Sequence, residues 1–268
     1  MKKSGRLEKK FKELKENGEK ALITFITAGD PDIPTTKELI LALERSGADI
    51  IELGIPFSDP IADGPTIQAS SERALKRGTK LRDIIKLVHS LRASTGIPIV
   101  LMTYYNPVLR YGLKNFVYDC GKNGVDGVIV PDLPPEEADE LTAASKGKKF
   151  STIFLLSPTS TKERIKLVSN KSKGFIYYVS LTGITGARAK LPAELISRVR
   201  IIKKYTKKPI CVGFGVSTSE QVRQISKVAD GVIVGSAMVK LIEKHAGRKD
   251  LLDAVGRYVK KLGEATHQ

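Results

Sequence analysis

Residues 49–68 read DIIELGIPFSDPIADGPTIQ: an apolar run that ends with one charged residue, Glu52, and then breaks into a Gly/Pro-rich loop carrying Asp59 and Asp63. Ile50, Ile51, Leu53 and Ile55 mark a strand buried on both faces, the pattern of a parallel sheet covered by helices. A carboxylate among such neighbours is desolvated. Its pKa rises toward neutrality and it can hold a proton, which is the condition of a general acid. Asp63 belongs to a loop that Pro56, Pro60, Gly64 and Pro65 bend and stiffen, so it is expected to be better solvated and ionised at neutral pH. Two carboxylates in unlike environments can take unlike roles. In the plainer alternative Glu52 is ion-paired with a neighbouring strand and Asp63 caps a helix starting near Pro65.

Outward from this stretch the same alternation repeats. Apolar runs predict strands over 22–27, 49–53, 97–103, 127–130, 151–155, 175–179, 210–212 and 231–234. Amphipathic patterns predict helices over 37–46, 81–94, 113–123, 136–145, 162–169, 193–205, 220–227, 238–245 and 251–262, with room for a further helix between Asp63 and Gly78. Thr35 with Glu38, Ser160 with Glu163 and Ser217 with Glu220 have the spacing of capping boxes at strand-to-helix turns. Eight βα units in about 250 residues, with no long linker between them, fit a single-domain (β/α)8 TIM barrel spanning residues 1–268. A GxGxxG fingerprint after the first strand is missing, which weakens a doubly wound alternative. Residues 1–20 read as an extra amphipathic helix packing on the barrel, with Leu7, Phe11 and Leu14 on one face. In such a barrel the strand C-termini carry the chemistry, and Glu52 and Asp63 both fall there.

Composition excludes several functions. The 45 Lys and Arg against 29 Asp and Glu give a net charge of +16, but the basic residues are dispersed in mixed-sign runs such as RLEKKFKELKE. That pattern suits solvated helix faces rather than a nucleic-acid surface, although a positive field attracts a phosphorylated substrate. No apolar run approaches the ~20 residues of a membrane span, and the first residues lack a signal-peptide core, so a soluble, cytoplasmic protein is expected. Cys120 and Cys211 form no CxxC, and the three histidines, His89, His245 and His267, are neither clustered nor near a nucleophile. Neither a disulfide framework, a metal site nor a catalytic triad is indicated.

Three glycine-rich segments follow late strands: SLTGITGAR at 180–188, GFGVS at 213–217 and GSA at 235–237. Glycine lets backbone N–H groups approach an anion, and Ser236 opens a helix whose N-terminus favours negative charge, so these segments suggest a phosphate cradle. Ordinary left-handed turns would explain the glycines equally. Gly183 and Gly186 are candidate hinges of a lid that brings Thr185 near the pocket.

The stretch ELGIPFSDPIADGPTIQ, followed in order by VIVPDLP, TGITGAR, VGFGVS and VGSAMVK and preceded by FITAGDP, closely resembles the tryptophan synthase alpha chain family over nearly the whole sequence. NPV at Asn106 belongs to the same series. The resemblance implies a lyase that splits indole-3-glycerol phosphate into indole and glyceraldehyde 3-phosphate by retro-aldol cleavage, with no metal or organic cofactor in this chain. It implies Glu52 as the acid/base carboxylate at indole C3 and Asp63 as the acceptor of the indole N–H. It places Phe25 and Met102 at the indole pocket, Tyr177 near the glycerol, and Phe214, Gly215, Gly235, Ser236 and Gly186 at the phosphate, with Thr185 on the lid and linked to Asp63. Plain core packing would explain Phe25, Met102 and Phe214 without it. It further implies a beta chain, a pyridoxal-phosphate enzyme receiving indole through a tunnel in an alpha2beta2 heterotetramer, with Asp59, Pro60, Asn106 and Pro134 as contacts. Leu181 departs from relatives that carry an arginine there. Two alternatives to this subunit remain: a free-standing indole-releasing lyase and a weakly catalytic barrel that chiefly activates the beta chain.

Overall fold

The computed structural model describes residues 4–180, 193–213 and 215–267. Chain order runs α1 (Arg6–Glu16), β1 (Ala21–Thr27), α2 (Ile33–Arg45), β2 (Ile50–Gly54), α3 (Pro65–Lys76), α4 (Leu81–Leu91), β3 (Ile99–Met102), α5 (Tyr105–Tyr111), α6 (Leu113–Lys122) and β4 (Gly127–Ile129). A 3-10 turn (Pro135–Glu137) leads to α7 (Asp139–Ala144), then β5 (Ser151–Ile153), β6 (Leu155–Leu156), α8 (Lys162–Lys171), β7 (Ile176–Val179) and α9 (Ala193–Lys203). The chain closes with β8 (Ile210–Gly213), α10 (Ser219–Ser226), β9 (Gly231–Val234), α11 (Ser236–His245) and α12 (Leu251–Thr266).

Every strand pairing is parallel, in the order β5-β4-β3-β2-β1-β9-β8-β7-β6. β5 and β6 are one stretch of chain separated only by Phe154, whose N–H turns to Ser172 Oγ at 3.3 Å while its carbonyl accepts from Tyr177. Counting that stretch once, eight strands close the predicted (β/α)8 barrel.

Alternation along the strands sorts two cores. Ala21, Ile23, Ile50, Val100, Ile129, Ile153, Phe175, Cys211 and Ile233 point inward, and the predicted N-terminal face of Leu7, Phe11 and Leu14 joins them. α1 therefore plugs the N-terminal end of the barrel, with Phe11 tilted against Phe175 at 5.8 Å. The outward residues, such as Leu22, Leu53, Leu101 and Val232, pack under the surrounding helices.

Helix starts correct the sequence reading. The cap of α2 is Asp32, which accepts from Thr35 N–H, so Thr35 lies inside the helix; Thr161 and Thr218 cap α8 and α10, one residue beyond Ser160 and Ser217. For α8 and α10 a second short polar side chain stood beside the one chosen, and the geometry of the turn selected between them. α5 begins on the NPV segment itself, because Pro107 falls in the first turn, where its missing N–H costs nothing.

Candidate functional site

Glu52 pairs in register with Phe25 on β1 and Val100 on β3, and it stands two residues beyond inward-facing Ile50, so it too faces the barrel interior. It is 1% exposed. Its Oε2 has no hydrogen-bond partner among the described residues, so the predicted alternative of an ion pair with a neighbouring strand is overturned. Burial, with the nearby charge of Asp63 adding to it, pushes the carboxyl up to about 8. The side chain is therefore protonated at neutral pH.

Asp63 lies two residues before α3. The cap of that helix is Gly64, with no side-chain bond, so Asp63 is not the capping residue that the alternative reading required. Its carboxylate instead takes a hydrogen bond from the Tyr104 hydroxyl. Partial burial raises the Asp63 pKa and the Tyr104 bond pulls it back, and the side chain is less deeply buried than Glu52. Tyr104 also accepts the Ala62 N–H at 2.9 Å and stacks on Phe57 at 5.2 Å, so one buried phenol fixes both the loop backbone and its acid. Sequence reasoning missed Tyr104. The signal available was its place two residues beyond β3, in the strand-end position where this architecture puts its chemistry.

Around the acids the predicted pocket residues assemble. Phe25 is buried, Met102 and Tyr177 are partly buried, and Met102 and Tyr177 pack against the inward cluster. Two glycines make room for the rings: a Cβ on Gly54 would stand 2.6 Å from the Phe25 ring, and one on Gly213 would stand 2.6 Å from the Tyr177 hydroxyl. Burial and the Glu52 charge raise the Tyr177 phenol well above its usual value, so it stays a neutral donor.

On the late-strand side, Gly235 precedes α11 and Ser236 is its exposed first residue, while Gly215 has φ +73°, a left-handed turn suited to glycine. The open helix N-terminus at Ser236 is an anion-binding geometry. Leu181, Thr185, Gly186 and Phe214 lie outside the described residues.

Asp59, Pro60 and Pro134 occupy loops at the same end and Asn106 the first turn of α5, with Asp59 and Asn106 exposed. Ile61, 85% exposed, and Leu109 on α5, 50% exposed, join them on that face; both were missed because an isolated apolar residue in a sequence carries no sign of its exposure. The Tyr105 N–H at the start of α5 bonds to Asp132 at 2.9 Å, tying neighbouring loops together. A cavity of about 850 Å³ opens elsewhere, lined by Ala42 and Arg45 of α2 and by Asp253, Arg257, Lys260 and Glu264 of α12. Among the described residues no group of His, Cys, Asp and Glu is arranged to hold a metal, and no helix is long and apolar enough to cross a membrane.

The tryptophan synthase alpha chain family model matches residues 11–267. The chain belongs to that family. An alpha chain from Geobacter sp. (strain M21) is 52% identical over 257 residues, covering 96% of each chain, and one from Geotalea uraniireducens (strain Rf4) is 54% identical over 252 residues, covering 94% of each. Among solved structures, the alpha subunit from Legionella pneumophila str. Paris superposes with a TM-score of 0.91 at 39% identity, covering 98% of this chain and 99% of that one. A chain of Mycobacterium tuberculosis tryptophan synthase gives 0.90 at 38% identity, covering 99% and 100%. Family membership makes the chain a lyase of tryptophan biosynthesis, acting on indole-3-glycerol phosphate, and carries with it a beta-chain partner.

Proposed function

We propose that Glu52 and Asp63 carry the cleavage of indole-3-glycerol phosphate, and the assignment rests on the burial of the Glu52 carboxyl, whose Oε2 has no hydrogen-bond partner among the described residues and whose pKa burial raises. Glu52 gives its proton to indole C3, which moves the ring electrons off nitrogen and leaves an indolenine-like cation. Asp63 accepts the N–H hydrogen bond and offsets that charge. The glycerol hydroxyl then loses its proton to the Glu52 carboxylate as its C–O bond becomes the aldehyde C=O. The C3 to glycerol carbon bond breaks, and its electron pair returns to the ring. The proton count closes, with one hydroxyl hydrogen moved to C3 and Glu52 restored.

Phe25 and Met102 supply an apolar slot for the ring, Tyr177 faces the glycerol, and Gly215, Gly235 and Ser236 meet the phosphate, with Gly186, Phe214 and Thr185 completing that side. No step calls for a metal or an organic cofactor in this chain; pyridoxal phosphate belongs to the beta chain. The exposed Ile61 and Leu109 beside Asp59, Pro60, Asn106 and Pro134 favour docking of that beta chain over the mouth of the barrel, in an alpha2beta2 assembly that restrains indole loss. A cytoplasmic location suits such an assembly.

An indole-release assay with and without a beta chain tests this reading. Glu52→Gln and Asp63→Asn should each lose roughly 10²- to 10⁴-fold in turnover while remaining folded, and the beta chain should accelerate the parent chain. Unchanged indole production by Glu52→Gln would leave only an activator role, and equal rates with and without a beta chain would point to a free-standing lyase.

A further inference from the structure

The helix that follows Asp63 is held by more than its own sequence. Its cap, Gly64, makes no side-chain bond, and Gln68 ties its first turns only to the preceding loop, through the Asp63 carbonyl at 2.8 Å and the Pro60 carbonyl at 3.5 Å. One turn apart on one face, Ser70 and Arg73 fasten it instead. Ser70 Oγ and Thr27 Oγ1 at the end of β1 share a buried hydrogen bond at 2.6 Å. Arg73 grips Asp30, just beyond β1 and 4% exposed, through two parallel bonds, Nε to Oδ1 at 2.9 Å and Nη2 to Oδ2 at 2.8 Å. That bidentate geometry fixes orientation as well as distance.

The third guanidinium nitrogen reaches a different element. Arg73 Nη1 meets Glu243 Oε1 at 2.6 Å, and Glu243 lies on α11, seven residues beyond Ser236 and thus on the same helix face. β1 and β9 pair in register from Ala21 with Gly231 to Thr24 with Val234, so the strand leading into α11 is itself fastened to β1. A half-exposed pair such as Arg73 with Glu243 adds little stability in its own right. Its value is geometric.

We infer that Arg73 is a positioning residue for the lyase reaction: it sets the span between Asp63, at one end of α3, and the phosphate cradle at the start of α11. The inference rests on the reading that Asp63 meets the indole N–H while Ser236 and its neighbours hold the phosphate. A substrate anchored by its phosphate can present the indole nitrogen to Asp63 only if that span is right, so the phosphate's binding energy contributes to catalysis through this frame. A substrate without phosphate can shift to follow a displaced carboxylate.

The test compares kcat/KM for indole-3-glycerol phosphate and for phosphate-free indole-3-glycerol in the parent chain, Arg73→Met, Arg73→Lys and Glu243→Ala, with the melting temperature of each. In Arg73→Met the phosphorylated substrate should lose about tenfold more than the phosphate-free one. Arg73→Lys should recover part of that difference, and Glu243→Ala, a surface change that leaves the Asp30 pair intact, should show a smaller difference in the same sense. Equal losses for both substrates, or a ratio unchanged in every variant, would overturn the inference while leaving the lyase reading in place. A parent chain that cleaves neither substrate would remove that reading and the inference together.

Discussion

Asp126 at the N-terminal end of the barrel and Glu52 at the C-terminal end are both buried carboxylates, 4% and 1% exposed, and they live in opposite surroundings. Asp126 receives Arg6 at 3.0 Å, Arg92 at 3.1 Å and the Ile99 N–H at 2.9 Å. Its burial raises the pKa, and all three partners pull it back. Nearby, Asp49 accepts the Leu22 N–H at 2.9 Å and His267 Nε2 at 3.0 Å, which ties the end of α12 to the start of β2. Among the described residues Glu52 has no such company at its Oε2, and burial raises its pKa so that it holds its proton. One end of the barrel satisfies its charges and so holds the fold, while the other leaves a proton available for transfer.

The largest effect expected from this contrast is in Glu52→Gln, which should lose activity and gain stability together. Folding raises Glu52 from 4.5 to about 8, so between those values the folded chain binds more protons than the unfolded one. Stability therefore falls as pH rises through that window and stays reduced above it, by at most roughly 5 kcal/mol. Thermal melts should show the lead of Glu52→Gln over the parent growing from about pH 5 to about pH 8 and then levelling. A constant lead would mean that Glu52 does not titrate in that window. Next in size, Asp126→Ala strands the mostly buried Arg92 and should cost about 3–5 kcal/mol in denaturant unfolding, while kcat at a temperature where the variant is folded stays within about twofold. A large kcat loss there would blur the division between the two ends.

Tyr104→Phe should have the smallest effect, about tenfold in kcat, because it removes a single hydrogen bond to Asp63 and the acceptor for Ala62. Without that bond Asp63 should titrate higher, and the acid limb of the kcat profile should move up in pH with it. A profile that does not move would show that Tyr104 supports only the loop backbone.

The contrast also marks what the sequence could reveal. The strands were legible because each is a short run of inward and outward apolar residues, and Glu52 was legible as the charge that interrupts one. The break at Phe154 was not, since 151–155 reads as one continuous run and only the tertiary bond to Ser172 turns its N–H out of the ladder. No helix was read over 104–112, where α5 forms, and Pro107 is harmless there because it falls in the first helical turn. Tyr104, Asp132 and Arg73 act through partners 42, 27 and up to 170 residues away, and no local pattern encodes such pairings.

The central claim is that Glu52 enters the reaction carrying a proton, and a carbon-13 NMR titration of the side-chain carboxyls tests it most directly. The Glu52 resonance is assigned by its absence in Glu52→Gln. A midpoint near 8 is the predicted result, and a midpoint near the ordinary glutamate value of 4.5 would contradict the assignment of Glu52 as the acid.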